Sequence, residues 1–172
     1  MTQVTGYVLA MTLTTLVGSQ VMWAEESGEK EHAELAKALS SAKVSLGAGL
    51  RASANAGKPI SAKFEVEDGK LQLSVYTEKD GKFSEVVVDP QSGKVAKSEA
   101  ITEREDLTAA KSQSAAMAKA KGSLTDAIAK AVAKTGGYRA VSVVPSLKNG
   151  HPIAQVELVK SDKWKTVTER LD

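Results

Sequence analysis

Residues 59–89, PISAKFEVEDGKLQLSVYTEKDGKFSEVVVD, are the stretch on which the fold turns. Ile60, Ala62, Phe64 and Val66 alternate with Ser61, Lys63, Glu65 and Glu67, the period-two pattern of a strand with one buried face. EDGK at 67–70 follows, and Asp-Gly supplies the positive φ values of a tight hairpin at low cost. Leu71, Leu73 and Val75 then alternate with Gln72, Ser74 and Tyr76, KDGK at 79–82 turns again, and FSEVVVD makes a third strand. The stretch predicts a three-stranded antiparallel meander.

The third strand runs into VVVDPQSGKV at 86–95. Asp89 can accept from backbone amides, Pro90 presets φ, and Gly93 can adopt the left-handed conformation, so the segment predicts a turn into a short fourth strand. A calcium loop would need oxygen ligands at several alternate positions and a distal Glu, whereas Pro90 and Lys94 occupy this one. A phosphate loop would need more glycines and a helix after it.

Upstream, residues 29–56 are Ala-rich. Leu35, Leu39, Val44, Leu46 and Leu50 recur at mostly helical spacing, with Gly47 and Gly49 between them, and NAGKP at 55–59 is a stop signal. This predicts one amphipathic helix ahead of the meander.

The same order recurs downstream. LTDAIAKAVAK at 124–134 is an amphipathic helix with Leu124, Ile128 and Val132 on one face and Ser123 with Asp126 as its cap. A second meander follows at a constant offset of 81: Gly69 maps to Gly150, Val75 to Val156, Lys79 to Lys160, Lys82 to Lys163, Phe83 to Trp164 and Val86 to Val167. Residues 101–121 between them are acidic at the start and basic at the end, as a helical connector would be.

The expected fold class is α+β: two tandem αβββ(β) units, each a helix packed on a small antiparallel sheet. They cover 35–100 and 122–172, with the second divergent. Units of this size are near the limit for a lone core, so the two should pack together or share a sheet edge.

Charge and composition narrow the function. Lys and Arg number 23 and Asp and Glu 21, a balance that argues against a nucleic-acid binder. The absence of cysteine excludes a disulfide framework, a thiolate zinc site and a cysteine nucleophile. YVLAMTLTTLV at 7–17 is apolar, GSQVMWA follows, and EESGEKEHAE is strongly polar, the order of a secretory signal peptide. We therefore expect a signal over 1–24, a polar linker over 25–34, and a mature chain outside the cytoplasm with no membrane insertion.

These residues carry a resemblance. A helix, three strands and a strand closing on Val-Asp-x-x-x-Gly-Lys-Val resemble the PepSY domain family, over residues 35–96 and more weakly over 122–172, where Arg170 stands in place of Asp89. The resemblance implies a non-catalytic module that inhibits or restrains a peptidase outside the cytoplasm. Its partner would be a peptidase or another envelope protein. A structural or sensory envelope protein with no peptidase link is the alternative.

No catalytic residue, cofactor or metal site is expected. His32 lies in a charged stretch and His151 follows a turn, so both are expected to face solvent without partners for catalysis or zinc. Asp68, Asp80 and Asp89 are read as turn formers. Lys63, Lys79, Lys82, Lys94 and Lys97 could form a basic rim or simply protect a sheet edge. The candidate partner-binding residues are Phe83 and Trp164, at equivalent places in the two meanders, with the adjoining Lys82 and Lys163. Aromatic side chains are favoured at interface hot spots when exposed and serve as core anchors when not.

Overall fold

The computed structural model describes residues 21–172, with side chains from residue 28. The signal segment expected over 1–24 lies outside the described residues except for its last four, which begin a helix. The elements in order are α1 (Val21–Ala38), α2 (Leu46–Ala52), β1 (Lys58–Glu67), β2 (Lys70–Lys79), β3 (Lys82–Val88), β4 (Val95–Ala100), α3 (Arg104–Lys119), α4 (Leu124–Thr135), β5 (Arg139–Lys148), β6 (His151–Lys160) and β7 (Lys163–Arg170). The class is α+β.

All seven strands form one antiparallel sheet in the order β4-β3-β2-β1-β5-β6-β7. The two meanders meet at the centre, where β1 runs antiparallel to β5 with Ala62 opposite Val143 and Lys63 opposite Ser142. The expected shared edge is this junction. The bounds of β1 and β2 shifted by 81 fall on those of β5 and β6. The register shift between Pro59 and Ser61 has its counterpart between Ala140 and Ser142 at the same offset. The first hairpin turns also correspond: Asp68 and Gly69 have φ of 50° and 71°, Asn149 and Gly150 of 53° and 82°.

Alternation divides the sheet into two faces. Ala62, Leu73, Val75, Val86, Val143, Val156 and Leu158 are fully or almost fully buried on one face, where α2 packs on β1 and β2 and α4 on β5, β6 and β7. Ser61 points the other way, and its Oγ donates to Gln113 Oε1 of α3 at 2.7 Å, while Lys58 Nζ donates to the Met117 carbonyl at 3.3 Å. The connector helix thus crosses the opposite face, spanning β1, β5 and β6 and so both meanders. Glu105 and Asp106 in its first turn and Lys119 in its last complement the helix dipole.

The helix expected over 29–56 is two helices, and residues 25–34, expected as a linker, lie inside α1. The break has a specific cause. Arg139 on β5 reaches into it: Nη1 donates to the Leu39 and Ala42 carbonyls at 2.9 and 3.1 Å, and Nη2 to the Val44 carbonyl at 2.8 Å. The Ala42 and Val44 carbonyls are thus satisfied from outside instead of by a continuing helix, and the Leu39 carbonyl accepts from Arg139 as well as from the Ala42 amide at 3.1 Å. Ser45 then opens α2, its Oγ accepting from the Ala48 amide at 3.2 Å. At α4, Ser123 Oγ accepts from the Asp126 amide at 3.0 Å, the expected cap.

The 86–95 turn also helps position α2. The Asp89 carboxylate accepts from the Ser92 amide and hydroxyl, both at 2.6 Å, and Gly93 takes a φ of 74°. The Pro90 carbonyl accepts from the Lys43 and Val44 amides at 3.0 and 3.1 Å. Leu171, 81 residues on, does the same ahead of α4: its carbonyl accepts from the Lys121 and Gly122 amides at 2.7 and 2.8 Å.

Gly49 explains why a weak helix former sits in α2: a Cβ there would collide with the Leu73 side chain, which is fully buried and has nowhere to move. At Gly47 a Cβ would make only ordinary contacts, at 3.7 Å to Thr125 and Arg51. Gly49→Ala should therefore lower stability by about 1–2 kcal/mol, overpacking outweighing the better helix propensity of alanine. Gly47→Ala should be neutral or slightly stabilising. Urea denaturation of the two variants measures both signs.

Candidate functional site

The four residues singled out in the sequence do not form one site. Lys82 and Phe83 begin β3, next to one edge strand, while Lys163 and Trp164 begin β7, the other edge strand. Four strands separate β3 from β7. Phe83 is 9% exposed and belongs to the core. Lys82 and Lys163 are exposed.

Trp164 is half-buried, and its partner is His32. The two rings stack with centroids 4.0 Å apart and planes 14° from parallel. His32 Nε2 also lies 3.4 Å from Glu157 Oε1. Glu157 alternates with Val156 on β6, so this cluster sits on the face opposite α2. Burial, the largest influence, raises the Glu157 carboxyl above the usual range, and His32 opposes it. The expectation that His32 simply faces solvent is corrected here: it fastens the middle of α1 to the far end of the sheet. His151 is 65% exposed, and its Nδ1 lies 3.1 Å from Asp172 Oδ2.

A polar network occupies that same face nearer β4. Ser74 Oγ donates to Glu65 Oε1 at 2.6 Å, Gln72 Nε2 donates to Ser74 Oγ at 3.0 Å, and Lys63 pairs with Glu65. Burial raises the Glu85 carboxyl, and burial together with Glu85 raises the Tyr76 hydroxyl. A raised carboxylate favours the fold at low pH, and that contribution is lost as the pH climbs through the shifted value. Glu65, Ser74 and Gln72 are bonded to one another and Lys63 pairs with Glu65, so the network reads as structural. Among the described residues, no group of three His, Cys, Asp or Glu side chains is placed to hold a metal ion, and no helix is long and apolar enough to cross a membrane.

On the α2 side, a groove of about 370 Å³ runs between α2 and α4, lined by Leu46, Ile128, Val132 and Tyr138, with Arg51 and Arg139 beside it. Arg139 is committed to its three carbonyls. No motif in the sequence marked it, because its role depends on a loop about 95 residues away in the chain.

The two outer strands are the features most open to a partner. All six residues of β4 are exposed. β7 exposes Lys163, Lys165 and Arg170, while its one acid, Glu169, is 5% exposed and takes two hydrogen bonds from Lys134 Nζ at 2.6 and 2.8 Å. The Lys97 and Glu99 side chains of β4 pair with each other at 2.7 Å.

Loss of the Trp164 ring should release the middle of α1. An aromatic pair contributes on the order of 1 kcal/mol beyond its buried area, so in Trp164→Ala the amides of residues 29–35 should exchange roughly fivefold faster, with β1 and β2 unchanged. Hydrogen exchange read by mass spectrometry checks this, and unchanged protection of α1 would mean that the stack does not hold it.

No curated protein and no solved structure matches the chain. Residues 34–99, which run from the last turns of α1 into β4, match the family described as peptidase propeptide and YPEB domain, or PepSY, and this match supports the PepSY family for that part of the chain.

Proposed function

We propose that the chain is a non-catalytic binding module that acts outside the cytoplasm and restrains a peptidase. The observation that carries this reading is the match of residues 34–99 to a family described by its peptidase propeptides. The exposed β4 supports it, because an open sheet edge can take up an extended segment of a partner through main-chain hydrogen bonds. The apolar run followed by polar sequence at the start of the chain supports the location.

We read residues 122–172 as a divergent copy of the same unit. The support is geometric: the strand bounds, the bulge and the docking carbonyl of Pro90 and Leu171 all recur at one offset. The copies differ where the resemblance is most specific, at Asp89 and Arg170. Asp89 closes its own turn through Ser92, whereas Arg170 pairs with Asp172, its Nη2 donating to Oδ2 at 2.7 Å.

The test is an inhibition assay. The purified chain, titrated into the secreted metallopeptidases of the organism that makes it, should slow hydrolysis of a peptide substrate by at least one of them. It should also co-elute with that enzyme in gel filtration. Unchanged hydrolysis across the whole set, with no complex formed, would favour the structural or sensory role.

A further inference from the structure

β4 is the outermost strand on its side of the sheet, with every residue exposed. One bond fixes the phase of its backbone. The Ile101 amide donates to the Phe83 carbonyl at 3.0 Å, and inward-bonding residues alternate along an antiparallel strand. Glu99 is opposite Glu85 and Lys97 opposite Val87, so the peptide groups of Lys97 and Glu99 bond to β3. Those of Ser98 and Ala100 point away from the sheet. The register shift in this pairing, where Val95 and Lys97 face Val88 and Val87, lies at the start of the strand and leaves residues 97–100 regular.

We propose that two copies of the chain associate through β4, antiparallel about a two-fold axis at Ser98, joining their sheets edge to edge. The axis places Lys97 of each copy opposite Glu99 of the other. It makes Ser98 a hydrogen-bonded pair with Ser98 of the second copy, and Lys97 with Glu99 a non-hydrogen-bonded pair, the kind that brings side chains closest. Ala100 comes near Ala96, which lies in the register shift, so the regular pairing is centred on residues 97–99 and no bulky side chain obstructs it. Moving the axis one residue in either direction would set Lys97 against Lys97 or Glu99 against Glu99. The charges therefore select one register.

The other edge does not have this property. β7 exposes Lys163 and Lys165, its Arg170 is held by Asp172, and its one acid is buried against Lys134, so it offers no exposed negative charge to a second copy. Two β7 edges would repel, in the way that lysines on outer strands discourage edge pairing. On β4, Lys97 and Glu99 pair with each other within one chain but stay exposed, so each can also meet the opposite charge of the second copy in a ring of four. The β4 contact is small, so association should be weak and concentration-dependent. The proposal stands on the geometry of β4 and does not depend on the peptidase reading; a partner segment added to β4 would compete with the second copy for the same edge.

Sedimentation equilibrium of the full chain over a range of concentrations tests it. The wild-type chain should pass from monomer to dimer. Glu99→Lys should weaken dimerisation by about tenfold, as two attractive cross-strand pairs become repulsive. The change also removes the exposed Lys97–Glu99 pair within the chain, but an exposed pair contributes little to folding and the new lysine stands opposite Glu85, so the fold should persist. Lys97→Glu combined with Glu99→Lys should restore dimerisation, since each charge again meets its opposite. In hydrogen exchange, the Ser98 and Ala100 amides should gain protection as concentration rises. A chain that stays monomeric throughout, a dimer indifferent to Glu99→Lys, or a double swap that fails to recover would each overturn the proposal.

Discussion

The structure depends on a short seam. Only where Ala62 meets Val143 and Lys63 meets Ser142 do the two meanders become one sheet. Ala62, Val143, Val75 and Val156 are essentially inaccessible to solvent, so the seam lies within the apolar core. Each meander alone would present an unpaired strand along this line, with its backbone donors and acceptors unmet. Pairing β1 with β5 removes both edges at once. The sheet has residue 62 facing its counterpart 81 positions on, which places a local two-fold relation at its centre.

The helices reinforce the seam from both sides. α2 and α4 lie side by side over one face, and α3 spans β1, β5 and β6 on the other. Arg139 adds a third link, from the first residue of β5 to three carbonyls of the break between α1 and α2. Its guanidinium is partly desolvated, which lowers its pKa, and lies 5.3 Å from the Phe64 ring centroid. The buried core is accordingly continuous, running from Leu39 through Val143 to Leu171.

The strands were legible because their signals are local. Period-two alternation and Asp-Gly turns specify a meander without reference to the rest of the chain, and the second meander was read from the same features. The break between α1 and α2 was not legible, because Leu39, Val44 and Leu46 keep an apolar rhythm across it, and what interrupts the helix is an arginine far away in sequence. The setting of His32 is hidden from the sequence for a similar reason. Its neighbours Glu31 and Glu34 are charged and exposed, and nothing nearby indicates the tryptophan ring that covers it. Phe83 and Trp164 each stand second in their strand, β3 and β7, yet burial treats them differently: one sits in the core, the other is closed over by α1. The family resemblance is carried chiefly by the turn at Asp89 to Val95, which is structural chemistry and carries no substrate information.

The most direct measurement of the central claim is differential scanning calorimetry of the chain. If the β1–β5 seam makes one core of the two meanders, they unfold together in a single transition. The calorimetric enthalpy then equals the van't Hoff enthalpy. Two separate transitions, or a calorimetric enthalpy near twice the van't Hoff value, would show that the halves fold independently and would contradict the account.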